Sequence, residues 1–406
     1  MGHTVAETNP LVTLGDPMTR LKFGTFLAPI HTPGQNPTLL LQRDLELVEY
    51  IEKLGFDEAW FGEHHSAGAE IYASPEIMIA AAGERTSRIK LGTGVTSVSY
   101  HNPLWAAERM VMLDHLTQGR VLFGLGPGSL PTDAAMLGLS QIDTRELLAE
   151  NADIIMRLLR GETVTAKTRT HELFDAKIQM APYSDPLFDV VVAAIASPTG
   201  ARLAGKHGIG LLSIAATLTA DGFSALQHHW GMLEEFAAQA GRSDEVDRST
   251  WRLVGPFHIA ETVEQAYKDV EHGIEYWFNY LQHVAAFPQM DVRGTNKKEM
   301  IDFINTSGIG VIGTAEQARA QVQRLVDQSG GFGTLLVQGH DWANPQATKR
   351  SYELFAQDVM PYFQGQAQPM LDAAAHAQSV REGQADEHRK AVDHMTQKYN
   401  AELGRV

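Results

Sequence analysis

The residues with the clearest potential for chemistry are Glu63, His64 and His65, which close the β-rich segment Asp57–Glu63. A neutral imidazole can accept or donate a proton near pH 7, so His64 could act as a general acid or base. Adjacent histidines could also bind a metal ion, but a zinc site needs three or four ligands, and no HxxxH or HExxH pattern accompanies this pair. The alternative is a structural role, in which both imidazole rings form hydrogen bonds with neighbouring backbone groups. We therefore predict no metal site and retain His64 for proton transfer.

Glycines cluster at the ends of the next two β-rich segments. One cluster is Gly92–Ser99, with the sequence GTGVTSVS, and the other is Gly124–Ser129, with the sequence GLGPGS. Two close glycines mark a place where the backbone bends sharply or approaches a flat ligand. A single glycine-rich loop is a weak signal, and a simple bulge explains either cluster taken alone.

A possible anion-binding turn begins at Ser197. The residues Ser197, Pro198, Thr199 and Gly200 open a predicted helix, where free backbone N–H groups and hydroxyls suit a phosphate. An ordinary helix N-cap explains the same residues when this turn is considered alone.

All of these candidates follow predicted strands of one repeating pattern. Between Leu21 and His340, eight apolar β-rich runs alternate with runs of helical spacing. Runs that are apolar throughout are typical of parallel strands covered on both faces. No GxGxxG follows the first strand, which disfavours a doubly wound open sheet. We therefore predict an α/β fold, a single (β/α)8 TIM barrel, with its site at the C-terminal ends of the strands.

Other segments interrupt or flank this alternation. Residues 161–187 alternate like an inserted β-hairpin. Residues 282–309 form a long excursion between the seventh and eighth strands, which predicts a lid. The predicted domain organisation is a flexible leader over 1–20, the barrel over 21–363 and a peripheral helical tail over 364–406.

Composition argues against several classes of partner. The chain has 49 acidic residues against 33 Lys and Arg, a net charge of −16, which repels phosphate backbones and anionic lipid, so we expect no nucleic acid and no membrane partner. Cysteine is absent, which excludes disulfides and a thiol nucleophile and fits a cytoplasmic protein. No apolar run approaches the ~20 residues that span a bilayer, and the first residues lack a signal-peptide pattern.

Longer stretches of the sequence resemble a known family, the bacterial luciferase-like, flavin-dependent oxidoreductases. The resemblance extends from Leu21 to Phe363 and is carried by EHHSAGAEIYASPEIMIAAA, LGTGVTSVSYHNPLWAAERMVMLDHLTQGRVLFGLGPG, IASPTGARLAGKHGIG and DVMPYF. The series EHH, LGTG, HNP, AE and LD…GR…FG…G is specific for that superfamily. The strings LGTGVTSVSYHNPLW and GPGSLPTDAAM are most similar to limonene 1,2-monooxygenase-type members.

This resemblance implies where a flavin would bind. In the family, the isoalloxazine ring lies across the barrel mouth beside a non-proline cis peptide, which matches the bond between Gly94 and Val95. His64 matches the active-site histidine. The flavin phosphate is held by the turn after the fifth strand and by an arginine on the helix after the fourth strand, a helix whose predicted N-cap here is Thr144. The matching phosphate-binding residues are Ser197, Thr199, Gly200 and Arg145.

The chain departs from the luciferase α-subunits after the fourth strand, and this bears on the substrate. Gly126 and Pro127 stand where those subunits have a cysteine and an arginine. The thiol beside the flavin and one cation are therefore missing, so light emission is not expected. The candidate pocket residues are apolar, namely Phe26, Leu27, Trp60, Leu130, Met136, Phe287 and Met290. An apolar pocket indicates a small apolar organic substrate and disfavours an unpaired oxygen anion, which favours alkene epoxidation.

The activity that the resemblance implies is flavin-dependent monooxygenation. Reduced FMN or FAD would react with O2, and NAD(P)H would supply the electrons directly or through a separate flavin reductase. One oxygen atom would enter the substrate, for example a monoterpene alkene such as limonene. Alternatives that stay open are a Baeyer-Villiger or aldehyde monooxygenase, a deazaflavin-dependent oxidoreductase on the same barrel, and a non-catalytic flavin-binding subunit. A homodimer or a higher homo-oligomer is expected.

Overall fold

The computed structural model of the protein describes four stretches of the chain, residues 20–194, 198–213, 220–285 and 296–404. By contacts between Cα atoms the chain divides into two compact units, Met1–Val359 and Met360–Val406. Among the described residues, no helix is both long and apolar enough to cross a membrane.

Parallel strands of the first unit close into a barrel, as the alternating pattern predicted. Among the described residues, each of eight strands pairs with a neighbour on both sides, and the pairing of the third with the fourth barrel strand closes the ring. In order around the barrel, the strands are β1 (Lys22–Leu27), β2 (Glu58–Phe61), β3 (Lys90–Thr93), β5 (Val121–Gly126), β8 (Val190–Ala194), β9 (Gly210–Ser213), β10 (Trp251–Gly255) and β13 (Thr334–Gln338).

Shorter strands and the helices complete this unit. Strand β4 (Thr96–Ser97) extends the line of β3 and pairs with β5, and strands β6 (Val164–Lys167) and β7 (Glu172–Ala176) form the predicted antiparallel hairpin. The helices are α1 (Pro37–Leu54), α2 (Pro75–Gly83), α3 (Pro103–Thr117), α4 (Pro131–Met136), α5 (Gln141–Leu159), α6 (Pro198–His207), α7 (Ala220–Gln239), α8 (Val263–Val270), α9 (Ile274–His283), α10 (Lys297–Ser307), α11 (Ala315–Ser329) and α12 (Pro345–Asp358).

The seventh barrel strand is shorter than its sequence suggests. The apolar run Trp251–Ala260 predicts one continuous strand, but Pro256 interrupts it because proline has no N–H group to donate to a neighbouring strand. Beyond the proline, β11 (Phe257–Ile259) leaves the barrel and pairs with β12 (Val311–Gly313).

The helix after the fourth barrel strand begins earlier than predicted. Its N-cap is Ser140, whose hydroxyl accepts from the Asp143 backbone N–H at 3.2 Å while the Asp143 carboxylate accepts from the Ser140 N–H at 2.9 Å. This reciprocal capping box satisfies two N–H groups that a helix start leaves unpaired. The prediction of Thr144 as the N-cap is therefore wrong, and Arg145 lies in the second turn of α5.

The barrel interior consists of a packed apolar layer above a buried ion pair. The fully buried Trp60 is part of that layer, and its indole N–H donates to Glu58 at 2.8 Å. At the N-terminal end of the strands, Arg252 forms ion pairs with Glu58 at 3.0 Å and Asp189 at 2.6 Å. The layer comprises Phe26, Trp60, Leu122, Val191, Leu212, Val254 and Leu336. The interior is thus a solid core, and a ligand must bind at the opposite, C-terminal end.

Part of the predicted lid is an ordered helix. Within residues 282–309, helix α10 has Asn296 as its N-cap, and Ile301 and Ile304 are buried in a cluster with Trp277 and Phe278 of α9. Residues 286–295 of the same segment lie outside the described residues. That the segment covers the barrel mouth stays a prediction.

The second unit is helical, as the composition of the tail predicted. It contains α13 (Met360–Phe363), α14 (Ala367–Ser379) and α15 (Arg381–Glu402). Neither α14 nor α15 has a buried residue, so these helices contribute no core of their own.

Candidate active site

The C-terminal end of β3 contains the backbone feature that the family resemblance implies. The peptide bond between Gly94 and Val95 is cis. A Cβ atom on Gly94 would lie 2.7 Å from the ring of Phe26, so the chain passes too close to this ring for a larger residue. A Cβ atom on Gly126 would lie 2.2 Å from Val95 Cγ2. Val95 therefore occupies the space beside residue 126, which explains in steric terms why a cysteine does not stand there.

An apolar surface forms the barrel mouth around this bond. Ala28 and Val95 are half-buried and pack on the apolar layer of the barrel, next to the buried Phe26. In the chain that follows this bond, two buried hydroxyl oxygens, Thr96 Oγ1 and Tyr100 Oη, have no hydrogen-bond partner among the described residues. A flat ligand with an apolar ring and polar edge atoms fits this combination, which is the chemistry of an isoalloxazine ring.

The predicted pocket residues are only partly brought to this mouth. Phe26 lies directly beneath it, whereas Trp60 is below in the core and Leu27 points outward toward α1 and α12. Leu130 is buried in the cluster that contains α9, and Met136 is 67% exposed. Phe287 and Met290 lie outside the described residues.

His64 is held between two carboxylates. Its Nδ1 lies 3.0 Å from Asp133 Oδ2, and its Nε2 lies 3.3 Å from Glu70 Oε2. Asp133 lies in the first turn of α4, and its other oxygen, Oδ1, accepts from the His65 backbone N–H at 3.1 Å and from Ser66 Oγ. The side chains of His64, Glu70 and Asp133 are 12%, 11% and 1% exposed, so the three groups interact with little screening by water.

This environment changes the expected charge of His64. Burial by itself would lower the pKa of the imidazole, but the carboxylates of Glu70 and Asp133 outweigh burial and hold the pKa of His64 above its ordinary value. Burial raises the pKa of Glu70, and the neighbouring His64 offsets this only in part. The structure thus favours the protonated form of His64 more than an isolated imidazole would.

A second acid–histidine cluster lies beside the first. The buried Glu63 accepts from the Ser97 backbone N–H at 2.6 Å, and its other oxygen lies 2.9 Å from His65 Nε2 and 2.7 Å from His101 Nε2. Burial raises the pKa of Glu63, but the hydrogen bonds from His101 and His65 more than reverse this and lower it to about 2. Glu63 is therefore a fixed anion that ties the end of β2 to β4.

The structure describes three of the four predicted phosphate-binding residues, Thr199, Gly200 and Arg145. Thr199 is exposed in the first turn of α6, and a Cβ atom on Gly200 would lie 2.6 Å from the Ala193 carbonyl oxygen, so glycine lets this helix start close to β8. Arg145 is exposed and donates to the Gln141 carbonyl oxygen at 2.7 Å. Ser197 lies outside the described residues. A helix start and a solvated guanidinium are groups that suit a phosphate in chemical type, and the assignment stays a prediction.

Replacing Arg145 by alanine should weaken the binding of reduced FMN about tenfold, because a hydrogen bond to a charged group contributes about 1.5–3 kcal/mol. The guanidinium is solvated in the structure, which places the expected effect near the lower end of that range. Fluorescence-monitored titration under anaerobic conditions measures the dissociation constant. Arg157→Ala is the control, since Arg157 lies on the same helix and pairs with Glu162. Equal affinities of the wild type and Arg145→Ala would remove Arg145 from the site.

Sequence analysis did not single out Glu70 and Asp133, the partners of His64, or Tyr280, whose hydroxyl donates to Glu70. Glu70, Asp133 and Tyr280 are acidic or phenolic residues in loops and helices, where such residues are common and usually solvated. The strings EHHSAGAE and SLPTD contain the two acids, yet nothing in their spacing indicates that they meet one histidine. Within the part of the chain that the structure describes, no group of three or more His, Cys, Asp or Glu side chains is arranged to hold a metal ion.

Comparison with known proteins agrees with this geometry. The model of the luciferase-like monooxygenase family matches residues 21–331. Limonene 1,2-monooxygenase from Rhodococcus erythropolis is 46% identical over 95% of this chain and 98% of its own length. The 4-hydroxyprotoasukamycin monooxygenase of Streptomyces nodosus subsp. asukaensis is 41% identical over 86% of this chain and 94% of its own.

A solved structure shows the same fold at lower identity. The oxygenating constituent of 3,6-diketocamphane monooxygenase from Pseudomonas putida, a type II Baeyer-Villiger monooxygenase in complex with FMN, has a TM-score of 0.69 and 21% identity. It covers 84% of this chain, and this chain covers 99% of it. With a closed (β/α)8 barrel, a cis peptide at the end of β3 and a family match over most of its length, the chain belongs to the luciferase-like monooxygenase family.

Proposed function

We propose that this enzyme uses reduced flavin and O2 to insert one oxygen atom into a small apolar alkene while the other oxygen atom leaves as water, and that monoterpenes such as limonene are its substrate class. The electrons come from NAD(P)H, either directly or through a separate flavin reductase. FMN is the flavin proposed first, with FAD as the alternative, and a homodimer or higher homo-oligomer is the proposed assembly.

The observation that carries this proposal is the similarity to limonene 1,2-monooxygenase, 46% identical over 95% of the chain. It is supported by the apolar mouth, where Phe26, Ala28 and Val95 offer no charge to a substrate. A substrate without polar groups loses nothing by entering such a surface, whereas an unpaired polar group would lose its hydration there.

The chain's own residues have separable roles in this proposal. The apolar mouth binds the substrate and excludes water, and the start of α6 with Thr199 and Arg145 binds the phosphate of the flavin. When bound, the reduced flavin supplies the electrons that activate O2. His64 holds or delivers a proton at its Nε2 atom, next to Glu70.

The charge around His64 bears on the kind of oxygen transfer. A lone imidazolium would stabilise an oxygen anion, which favours attack on carbonyl groups. Here Glu70 and Asp133 lie 3.3 Å and 3.0 Å from the two ring nitrogens, so the positive charge is largely neutralised within the cluster. This neutralisation weakens His64 as a stabiliser of an anion, which supports electrophilic transfer to an alkene over lactone formation.

A competition experiment tests the reaction type. Purified enzyme, O2 and chemically reduced FMN or FAD are mixed with equal amounts of limonene and a cyclic ketone of similar size, and the products are separated by gas chromatography. We expect limonene epoxide to be the main product. Heat-denatured enzyme with the same reduced flavin is the control for uncatalysed oxidation. Lactone as the main product, with no epoxide, would refute alkene epoxidation while leaving the family assignment intact.

A further inference from the structure

An ion pair and a hydrogen bond that share the Glu70 carboxylate connect His64 to helix α9. One oxygen of Glu70 lies 3.3 Å from His64 Nε2, and the other accepts a hydrogen bond from the Tyr280 hydroxyl at 3.0 Å. Tyr280 lies on α9 and is 1% exposed. His64 follows β2, Glu70 lies in the loop after it, and Tyr280 lies on a helix 210 residues beyond Glu70.

The same helix also packs against the segment that presents the second carboxylate. Leu130, which precedes α4, is buried in one cluster with Tyr280, Trp277 and Leu281 of α9. Asp133, in the first turn of α4, is three residues beyond Leu130. Helix α9 therefore interacts with the surroundings of the imidazole on both sides, through a hydrogen bond to Glu70 and through a shared apolar cluster with Leu130, near Asp133.

We propose that Glu70 and Tyr280 are positioning residues for His64, and that helix α9 is thereby part of the active site. This inference rests on the proposed proton-transfer role of His64. Tyr280 fixes one Glu70 oxygen, so the other is directed at the imidazole. Glu70 then keeps a proton on Nε2 and holds the ring in the orientation in which its Nδ1 faces Asp133.

The charges around His64 give this arrangement a definite pH dependence. The groups that act on the imidazole are Glu70 from the loop, Asp133 from α4 and Glu63 and His65 from the chain on either side. Three of these four are carboxylates that favour the protonated ring, and Glu70 is the one in contact with Nε2. Removing its charge should therefore lower the pKa of His64 even though Asp133 remains.

NMR titration of the His64 ring in the full-length protein measures this directly. The signal is assigned by its loss in His64→Gln. Glu70→Gln keeps the size of the side chain and removes the charge, so the pKa of His64 should fall by about 1–3 units, the usual effect of one nearby opposite charge. Tyr280→Phe should give a smaller fall, because without the hydroxyl the Glu70 carboxylate holds its negative charge less readily. The alkaline limb of the turnover profile should move the same way.

The matched control is Tyr276→Phe, one turn earlier on the same helix. It should leave the titration of His64 unchanged. A pKa of His64 that is the same in wild type, Glu70→Gln and Tyr280→Phe would overturn the inference. So would a shift in Tyr276→Phe as large as that in Tyr280→Phe, since this would indicate general repacking of α9. The NMR titration needs no substrate, so a lack of oxygenation by the wild type would contradict the proposed function and leave this result interpretable.

Discussion

His64→Ala should lower the turnover of the proposed reaction at least about 100-fold while leaving the affinity for reduced flavin within about threefold, because positioned acid–base groups contribute about 10²–10⁴ to rates. The structure sharpens this expectation. His64 is nearly buried and is flanked by two carboxylates, so bulk water cannot readily take over its role. Stopped-flow turnover and anaerobic flavin titration separate the chemical step from binding.

His65→Ala is the informative comparison for this experiment. The two histidines are adjacent, but the side chain of His65 is 28% exposed and bonds to Glu63, which keeps His101 and the Ser97 N–H as partners when His65 is lost. We expect its turnover to fall less than about tenfold, well below the effect of a positioned acid–base group. Comparable losses in the two variants would mean that His64 is important for local structure and not for proton transfer.

Arg252→Met should lower the free energy of unfolding by about 3–5 kcal/mol, since removing one partner of a buried ion pair leaves the other charge uncompensated. Arg252 is 0% exposed, and Glu58 is 1% exposed and bonded to two of its guanidinium nitrogens at 3.0 and 3.2 Å. Methionine keeps most of the volume, so the loss reports charge more than packing. The midpoint and slope of urea unfolding provide the measurement.

Two further variants test whether this loss of stability comes from the unpaired buried charge. Arg242→Met removes a surface arginine whose pair with Glu245 is 30% and 46% exposed, and it should cost less than about 1 kcal/mol. The double variant with Arg252→Met and Glu58→Met also removes the uncompensated charge of Glu58. It should therefore recover part of the lost free energy of unfolding. Recovery should be incomplete because Trp60 and Thr334 also donate to Glu58. A loss in Arg252→Met no larger than in Arg242→Met would show that the barrel core tolerates an unpaired Glu58.

The sequence alone predicted the barrel, because its signals are local. Apolar runs of strand length that alternate with runs of helical spacing determine which segments become strands and which become helices. Closure of the barrel then puts the residues that follow each strand, among them His64 and Gly94, at one end of the molecule. The family resemblance placed the cis peptide at Gly94–Val95, and the structure contains it.

The tertiary structure decided what each of these residues contacts. His64 and Asp133 are 69 positions apart and Glu70 and Tyr280 are 210 apart, so no local spacing rule brings them together. Trp60 was a pocket candidate by residue type, but the alternation of β2 directs it into the barrel core, where its N–H bonds to Glu58. The periodicity of the sequence indicates which face of a helix or strand is apolar. The charge state of His64 depends instead on distances between elements, and those distances are set only when the chain has folded.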